Sequence, residues 1–295
     1  MTSEAKLRSE AKLRGSAADP RKTAEGRREP LSITHLMLTL LIFAVVTMTT
    51  GATSPQPCVL TRSHRRSNRT RLATLNCRTL KADETLSELD ISLIENNVSL
   101  CALQEVRRDG FMSVTTKNYK VFWFGEHSGR GGVGFAVHKK FVHLVKAVRG
   151  VPDSDGRLIT MDILIHDSKH PVTVICAYSP TNAATKQVRE KFYSRLRDIV
   201  TPHVWLLGDL NAKVGRCATT VPDVQPTNTV GPCSLKGDNV PNENGAPLLN
   251  IASDNLLRHV GSHFSCRDSK RWTWKHPRYG SRAVLDHMFI PAPQM

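Results

Sequence analysis

Paired cysteines are missing from this sequence. Its seven cysteines, an odd number, stand at 58, 77, 101, 176, 217, 233 and 266, and no two are spaced C-x-x-C. That spacing argues against a zinc ribbon or a thioredoxin-type motif. Cys77, Cys101 and Cys176 lie in apolar runs and read as small core residues of a reduced, intracellular chain. Acidic side chains are scarce as well: 26 against 41 Lys and Arg, for a formal charge of +15. That deficit points to a polyanionic partner, either nucleic acid or an anionic membrane surface. Apolar residues are nearly absent from the first thirty positions, which hold the tandem hexapeptide SEAKLR-SEAKLR at 3–14. This reads as a solvated tail, residues 1–30. The tail holds eight basic and five acidic side chains and residues 31–60 hold none, so +12 of the +15 belongs to residues 61–295.

A long apolar run is also lacking. The strongest, Leu36–Met48, has thirteen residues, short for a bilayer core of about 30 Å. Extended through Ala52 it just suffices, and residues 31–52 therefore keep three readings. They are a signal anchor or single membrane helix, a cleaved signal peptide with Thr50-Gly51-Ala52 as the small-residue site, or an apolar stretch upstream of the true domain. Basic residues on both flanks leave the orientation open. Residues 53–70 read as a basic linker. The localisation follows from this segment: membrane-anchored if 36–52 inserts, otherwise nuclear or cytoplasmic.

What is present begins at Arg71, where short apolar runs alternate with amphipathic helices. Strands are expected at 71–77, 98–106, 119–125, 132–140, 158–166, 172–179, 203–210 and 283–290, and helices at 82–97, 185–200 and 246–260. Residues 215–239 are a loop rich in Pro, Gly and Thr. Many short strands with three helices suggest two packed sheets flanked by helices.

Several strands lose their apolar character to a polar group at one end: Asn76, Gln104-Glu105, Tyr178 and Asp209, with Asp286 inside an otherwise apolar run. Side chains two apart share a face of an extended strand, so Asp209 and Asn211 in "GDLNAKVG" are expected to project together, with Gly208 letting the chain turn. Each feature alone is what a turn or cap also shows. If the ends meet, they form a carboxylate-rich pocket without Cys or His, suited to Mg²⁺ or Mn²⁺. Such an ion in basic surroundings suits a phosphodiester.

The motifs "TLNCRTL", "LQEVR", "GRGGVGFAV", "AYSPTN", "GDLNAKVG", "TWKHP" and "LDHMFI" stand in the order and spacing of the endonuclease/exonuclease/phosphatase superfamily. The sequence resembles the apurinic-type endonuclease domains of non-LTR retrotransposons and their craniofacial-development-protein-2-like relatives, over residues 71–291. The resemblance implies an α/β (α+β) four-layer sandwich, two mixed sheets packed face to face and flanked by helices, spanning residues 71–295. It implies that Glu105 binds Mg²⁺ and that Asn76 orients that carboxylate or the metal's waters. Asp209 activates the attacking water, Asn211 positions it and the scissile phosphate, and Tyr178 donates to a phosphate oxygen. Asn182 closes the Tyr178 loop, and Asp286 orients a catalytic histidine. Arg157, Arg130, Lys139, Lys140 and residues 269–278 are candidate backbone contacts, with Trp272 and Trp274 either stacking on the substrate or buried in the core.

The family pattern continues to a Ser/Thr-Asp-His motif on a further strand, and this sequence stops at Met295 before it. The expectation is a sandwich lacking its last strand, with an exposed sheet edge and impaired activity. His287 is not a substitute, because neighbours on a strand face opposite sides. The expected function is Mg-dependent nicking of DNA by a monomer. The alternatives are a membrane-tethered nucleic-acid-binding or interaction relic, or a phosphodiesterase acting on RNA or on lipid or inositol phosphates.

Overall fold

A computed structural model of the chain describes residues 70–126, 129–165, 170–215, 228–235 and 240–294. The apolar segment 36–52, the charged tail and the basic linker up to residue 69 lie outside them. Among the described residues no helix is long and apolar enough to cross a membrane.

Two βαβ units set the frame. Strand β1 (Leu72–Asn76) pairs in parallel with β2 (Leu100–Gln104), and α1 (Asp83–Glu95) makes the crossover. Strand β8 (Val172–Tyr178) pairs in parallel with β9 (Val204–Asp209) across α2 (Lys186–Ile199). Each unit anchors a mixed sheet. The first adds β3 (Gly110–Thr115), β4 (Tyr119–Gly125) and β5 (Val133–His138) in the order β1-β2-β5-β4-β3. The second adds β6 (Val145–Gly150), β7 (Leu158–Ile163), β10 (Leu257–His259) and β13 (Asp286–Pro291) in the order β10-β13-β9-β8-β7-β6. A small ribbon of β11 (Trp274–Lys275) and β12 (Arg282–Ala283) stands apart.

Period-2 alternation sends each strand's apolar residues two ways. Leu100, Phe135, Val174, Cys176, Trp205, Leu207 and Met288 fill the space between the sheets. Ala73, Leu75, Cys101 and Leu103 pack under Leu86, Leu89 and Leu93 of α1. Ile175, Leu206 and Phe289 pack under Phe192 and Leu196 of α2 and Leu248 and Ile251 of α3 (Gly245–Asp254). Helix, sheet, sheet and helix make the expected four layers.

Four local expectations are corrected. The 246–260 helix ends at Asp254, and Leu256, in the left-handed region (φ 54°), turns the chain into β10. Strand β10 pairs with Phe289–Pro291 of β13, so part of the edge expected to be bare is covered. The 283–290 strand breaks between Ala283 and Asp286, where Thr273 Oγ1 accepts the Leu285 and Asp286 amides at 2.8 and 3.1 Å. Val188, expected on the buried face of α2, is 40% exposed. Strands β3 and β6 escape the sequence because they are the outer strands of their sheets and lack a buried face.

The topology decides where polar groups meet. Parallel pairing puts Asn76 beside Gln104 and Tyr178 beside Asp209. Strand β13 runs antiparallel to β9 and begins with Asp286 opposite Asp209. All these strand ends lie at one rim of the sandwich.

Candidate active site

At that rim a cleft of about 420 Å³ is lined by Asn76, Arg78, Glu105, Tyr178, Thr181, Asp209, Asn211, Trp272, Trp274, Lys275 and Asp286, among others. Asn76 is its hinge. Its Nδ2 donates to Glu105 Oε1 at 2.8 Å and to Asp209 Oδ2 at 2.9 Å, joining the first sheet to the second. Both of its amide hydrogens are thereby used. Tyr178 OH donates to Glu105 Oε1 at 3.2 Å, and Arg107 holds Oε2 at 2.7 Å.

The segment after β2 is shaped for this. Glu105 and Arg107 lie in the left-handed region (φ 54° and 56°), a strained conformation for such residues. Backbone straps hold it there: Val106 N donates to Gly132 O and Arg107 N to Gly131 O, at 3.1 and 2.8 Å. Gly131 and Gly132 lie at φ 71° and 82°, conformations that glycine adopts without strain. The "GRGGVGF" run thus positions the Glu105 carboxylate.

Gly208 has a different task from the expected turn. Strand β9 runs through it, and a Cβ there would lie 1.9 Å from the Ala177 carbonyl oxygen. Glycine permits the close approach of β9 to β8. The turn comes at Asn211, which is itself left-handed at φ 44°. Asp209 and Asn211 therefore share the cleft through a tight turn and not through strand alternation. Asn211 N donates to Asp209 Oδ1 at 3.1 Å, and Asn211 Nδ2 donates to Ser179 O at 2.9 Å.

Asp209 and Asp286 face one another across β9 and β13. The adjacent bond from Leu210 N to Leu285 O makes theirs a non-hydrogen-bonded pair, in which side chains stand closest. Burial, aided by the neighbouring Glu105 carboxylate, pushes Asp209 up to about 6, against the hydrogen bonds from Asn76 and Asn211. Burial and the Asp209 charge push Asp286 well above the carboxylate range. The cleft thus has a strong affinity for positive charge. Its donors are hard oxygens. Among the described residues no group of three Asp, Glu, His or Cys could hold a metal ion by itself. The set fits Mg²⁺ bound by one or two carboxylates together with waters and phosphate oxygens.

Other expected site residues fall outside the lining. The Arg157 guanidinium sits 5.1 Å from the centre of the Tyr178 ring and donates to Tyr178 O at 3.2 Å. It backs the tyrosine. Arg130 is exposed on the β4–β5 loop. Asn182 is exposed and accepts from Asn242 Nδ2 at 3.3 Å, away from the cleft. Gln104 points into the space between the sheets, fully buried, accepting from Thr74 Oγ1 and donating to Cys176 Sγ, both at 3.2 Å. Trp272 and Trp274 both line the cleft, Trp274 being 38% exposed. Beyond Trp274 the His276 and Tyr279 rings follow in contact.

His287 faces inward as alternation requires. It is fully buried, with Nε2 2.8 Å from Ala212 O and Nδ1 2.9 Å from His259 Nε2. A carbonyl only accepts, so His287 carries its proton on Nε2 and receives one from His259. Among the described residues no histidine lines the cleft. Sequence reasoning assigned no role to Arg107, Thr273, Asn242 or Asn244; Arg107, inside "LQEVR", and Thr273, inside "TWKHP", had a visible signal.

The layered sheets with the cleft at their rim are a fold also found in solved AP endonuclease structures. Two such structures match it at a TM-score of 0.50. An AP endonuclease from Archaeoglobus fulgidus is 18% identical, over 76% of this chain and 87% of that one. The AP endonuclease LMAP from Leishmania major is 12% identical, over 76% and 79%. The endonuclease domain of TRAS1, a telomere-specific non-LTR retrotransposon, is 15% identical over 76% and 86%, with a TM-score of 0.46. At these identities the likeness is one of fold. No protein-family model matches the sequence, and no curated protein does.

Proposed function

We propose that this chain is a metal-assisted phosphodiesterase that nicks DNA. The observation carrying the proposal is the convergence of Asn76, Glu105, Tyr178, Asp209, Asn211 and Asp286 from five separate segments into one cleft. Positive charge supports a polyanionic substrate: +12 resides in residues 61–295, and Arg78 and Lys275 stand in the cleft wall. Trp272 and Trp274 offer ring faces for a base or sugar.

Mg²⁺ or Mn²⁺ held at Glu105 would stabilise negative charge developing on the phosphate oxygens. The protein groups do the rest. Asp209, pushed up to about 6, is a base matched to near-neutral pH. It takes a proton from a water that attacks phosphorus in line, and the P–O3′ bond breaks, leaving a 5′-phosphate and a 3′ oxygen that takes a proton from solvent. Asn211 keeps one amide hydrogen beyond its bond to Ser179 O, available to the water or the phosphate. Tyr178 OH turns from Glu105 towards a phosphate oxygen. Asp286 faces Asp209 and adds a second carboxyl group to the cleft. Without an imidazole donor among the described lining residues, turnover is slow, since one such donor is worth about 10²–10³ in rate.

Supercoiled plasmid tests this. Purified protein with Mg²⁺ should produce nicked circles, and EDTA should stop it. Asp209→Ala should cut the rate by at least about 10³. Retention of intact plasmid by wild type and variant alike, with no nicks under any metal, would replace the enzyme by a binding module. That second reading is favoured by the lack of a histidine among the described residues of the lining. A panel adding RNA and inositol phosphates separates the substrate classes.

A further inference from the structure

The segment leading into α3 carries asparagines to which the proposed chemistry gives no role. Asn244 stands at the helix N-cap, where an asparagine ordinarily accepts a helix amide, and its side chain makes no such bond. It is completely buried, and its Nδ2 donates outward, to Pro180 O at 2.8 Å and Asn211 O at 3.2 Å. Two carbonyl acceptors fix which end of the amide is nitrogen, and Oδ1 is left buried without a partner. Asn242 makes a second set. Its Nδ2 donates to Asn211 O at 3.0 Å, and its Oδ1 accepts the amides of Lys213 and Gly245, each at 2.9 Å. Gly245 lets the helix start this near the turn, since a Cβ there would lie 2.0 Å from Lys213 O. Glu243, between them, pairs with Arg189, which also donates to Asn182 O at 3.1 Å.

From these contacts we infer that Asn242-Glu243-Asn244-Gly245 is a clip that holds Asn211 in its left-handed conformation and fixes the loops after β8 and β9 against each other. Asn242 and Asn244 are positioning residues. Both amides converge on one carbonyl, that of Asn211, whose side chain stands in the cleft beside Asp209. Asn182 belongs to this clip, through its bond to Asn242, and not to the cleft. The conformational part stands on the contacts alone; the consequence for turnover rests on the reading proposed above.

Hydrogen–deuterium exchange with mass spectrometry on the full chain, together with plasmid-nicking kinetics, tests it. Asn244→Ala should speed exchange of the amides at 210–214 by about tenfold or more while leaving β9 at 204–208 unchanged. In the nicking reaction kcat should fall about 10–100-fold with KM nearly constant, as for a displaced catalytic group. Asn244→Asp has the same volume but sets a carboxylate against two carbonyl oxygens. It should be at least as damaging as Asn244→Ala, whereas a packing role would leave it close to wild type. Asn242→Asp keeps the acceptor for Lys213 and Gly245, loses the donor to Asn211 O and to Asn182 Oδ1, and should show the same pattern more weakly. It serves if the Asn244 variants do not fold. Wild-type exchange at 210–214 in a folded Asn244→Asp or Asn242→Asp protein overturns the clip. Faster exchange there, in a chain whose wild type never nicks, upholds the clip and removes the proposed reaction.

Discussion

Asp286 and His287 are consecutive residues on β13, and each meets a like group across the sheet on its own face. Asp286 faces the cleft with Asp209 opposite. His287 faces the interior with His259 against it. Burial acts on both pairs in the same sense, disfavouring charge, and so moves acids and bases in opposite directions. Asp209 rises to about 6, and His287 falls to about 4. In one pair, His287 has both ring nitrogens in hydrogen bonds without ionising. The other keeps two carboxyl groups in one cleft and leaves the cleft anionic once they ionise. A fold tolerates the second arrangement where binding a cation or substrate compensates for it, which is why the comparison marks the functional face.

The largest effects should come from breaking the cleft face. Asp286→Asn removes one of the two opposed carboxyl groups. Plasmid nicking should fall by about 10²–10³. Thermal stability at pH 7 without metal should rise by about 1 kcal/mol or more, a gain of a few degrees in Tm for a domain of this size. Loss of stability together with loss of activity would mean that Asp286 is a structural carboxylate.

On the inner face the signs differ. His287→Leu removes the donor to Ala212 O and the acceptor for His259, leaving two buried polar groups unpaired. A cost of about 2–4 kcal/mol is expected by denaturant titration. Because Ala212 adjoins Asn211, nicking should weaken too, while the affinity for intact plasmid at low salt stays near wild type. A variant as stable as wild type would show that the histidine pair is filler.

The pH dependence sets the two faces against each other. Asp209 is raised in the folded state, so its contribution favours the fold at low pH and is lost as pH rises from about 4 to about 6. His287 is depressed, so its contribution is present above the unfolded value of about 6.5 and is lost as pH falls towards 4. Each shift amounts to about 3 kcal/mol, and the windows overlap with opposite slope. Asp286 is raised and His259 depressed as well and oppose each other in the same way, so the metal-free wild type should have a shallow stability profile from pH 4 to 6.5. Asp209→Asn should unmask a profile that rises with pH, and Mg²⁺ should do the same by favouring the ionised carboxylate. Chemical denaturation at half-unit pH steps measures this. A steep wild-type profile would mean that one face dominates.

Much of this was legible in the sequence. Alternation put His287 on the face away from Asp286, and the strand ends that turn polar are the ones that line the cleft. The outer strands β3 and β6 were not legible, since neither has a buried face to impose a pattern. Nor was the route by which Asp209 and Asn211 come together. Extended alternation gave the right company for the wrong reason, because the left-handed turn at Asn211 depends on amides contributed some thirty residues later in the chain. Gly208 looked like a turn residue because a missing side chain has the same appearance whether it frees a dihedral angle or makes room for a neighbouring carbonyl. The "NENG" stretch had no pattern that distinguishes it from an ordinary helix start.

The smallest expected effect sharpens the boundary of the cleft itself. Asn182 follows Thr181, a lining residue, yet its side chain is exposed and its one side-chain bond is a 3.3 Å contact from Asn242. A neutral hydrogen bond at that length and exposure is worth about 0.5 kcal/mol or less. Asn242 retains its stronger bond to the Asn211 carbonyl whether or not Asn182 accepts. Asn182→Ala should therefore lower nicking by no more than about threefold, with unchanged Tm, where Asn211→Ala should cost at least about a hundredfold. If Asn182→Ala instead matched Asn211→Ala, its side chain would have to swing into the cleft when substrate is bound, and the anionic face of β13 would have a donor opposite it that the free protein keeps turned outward.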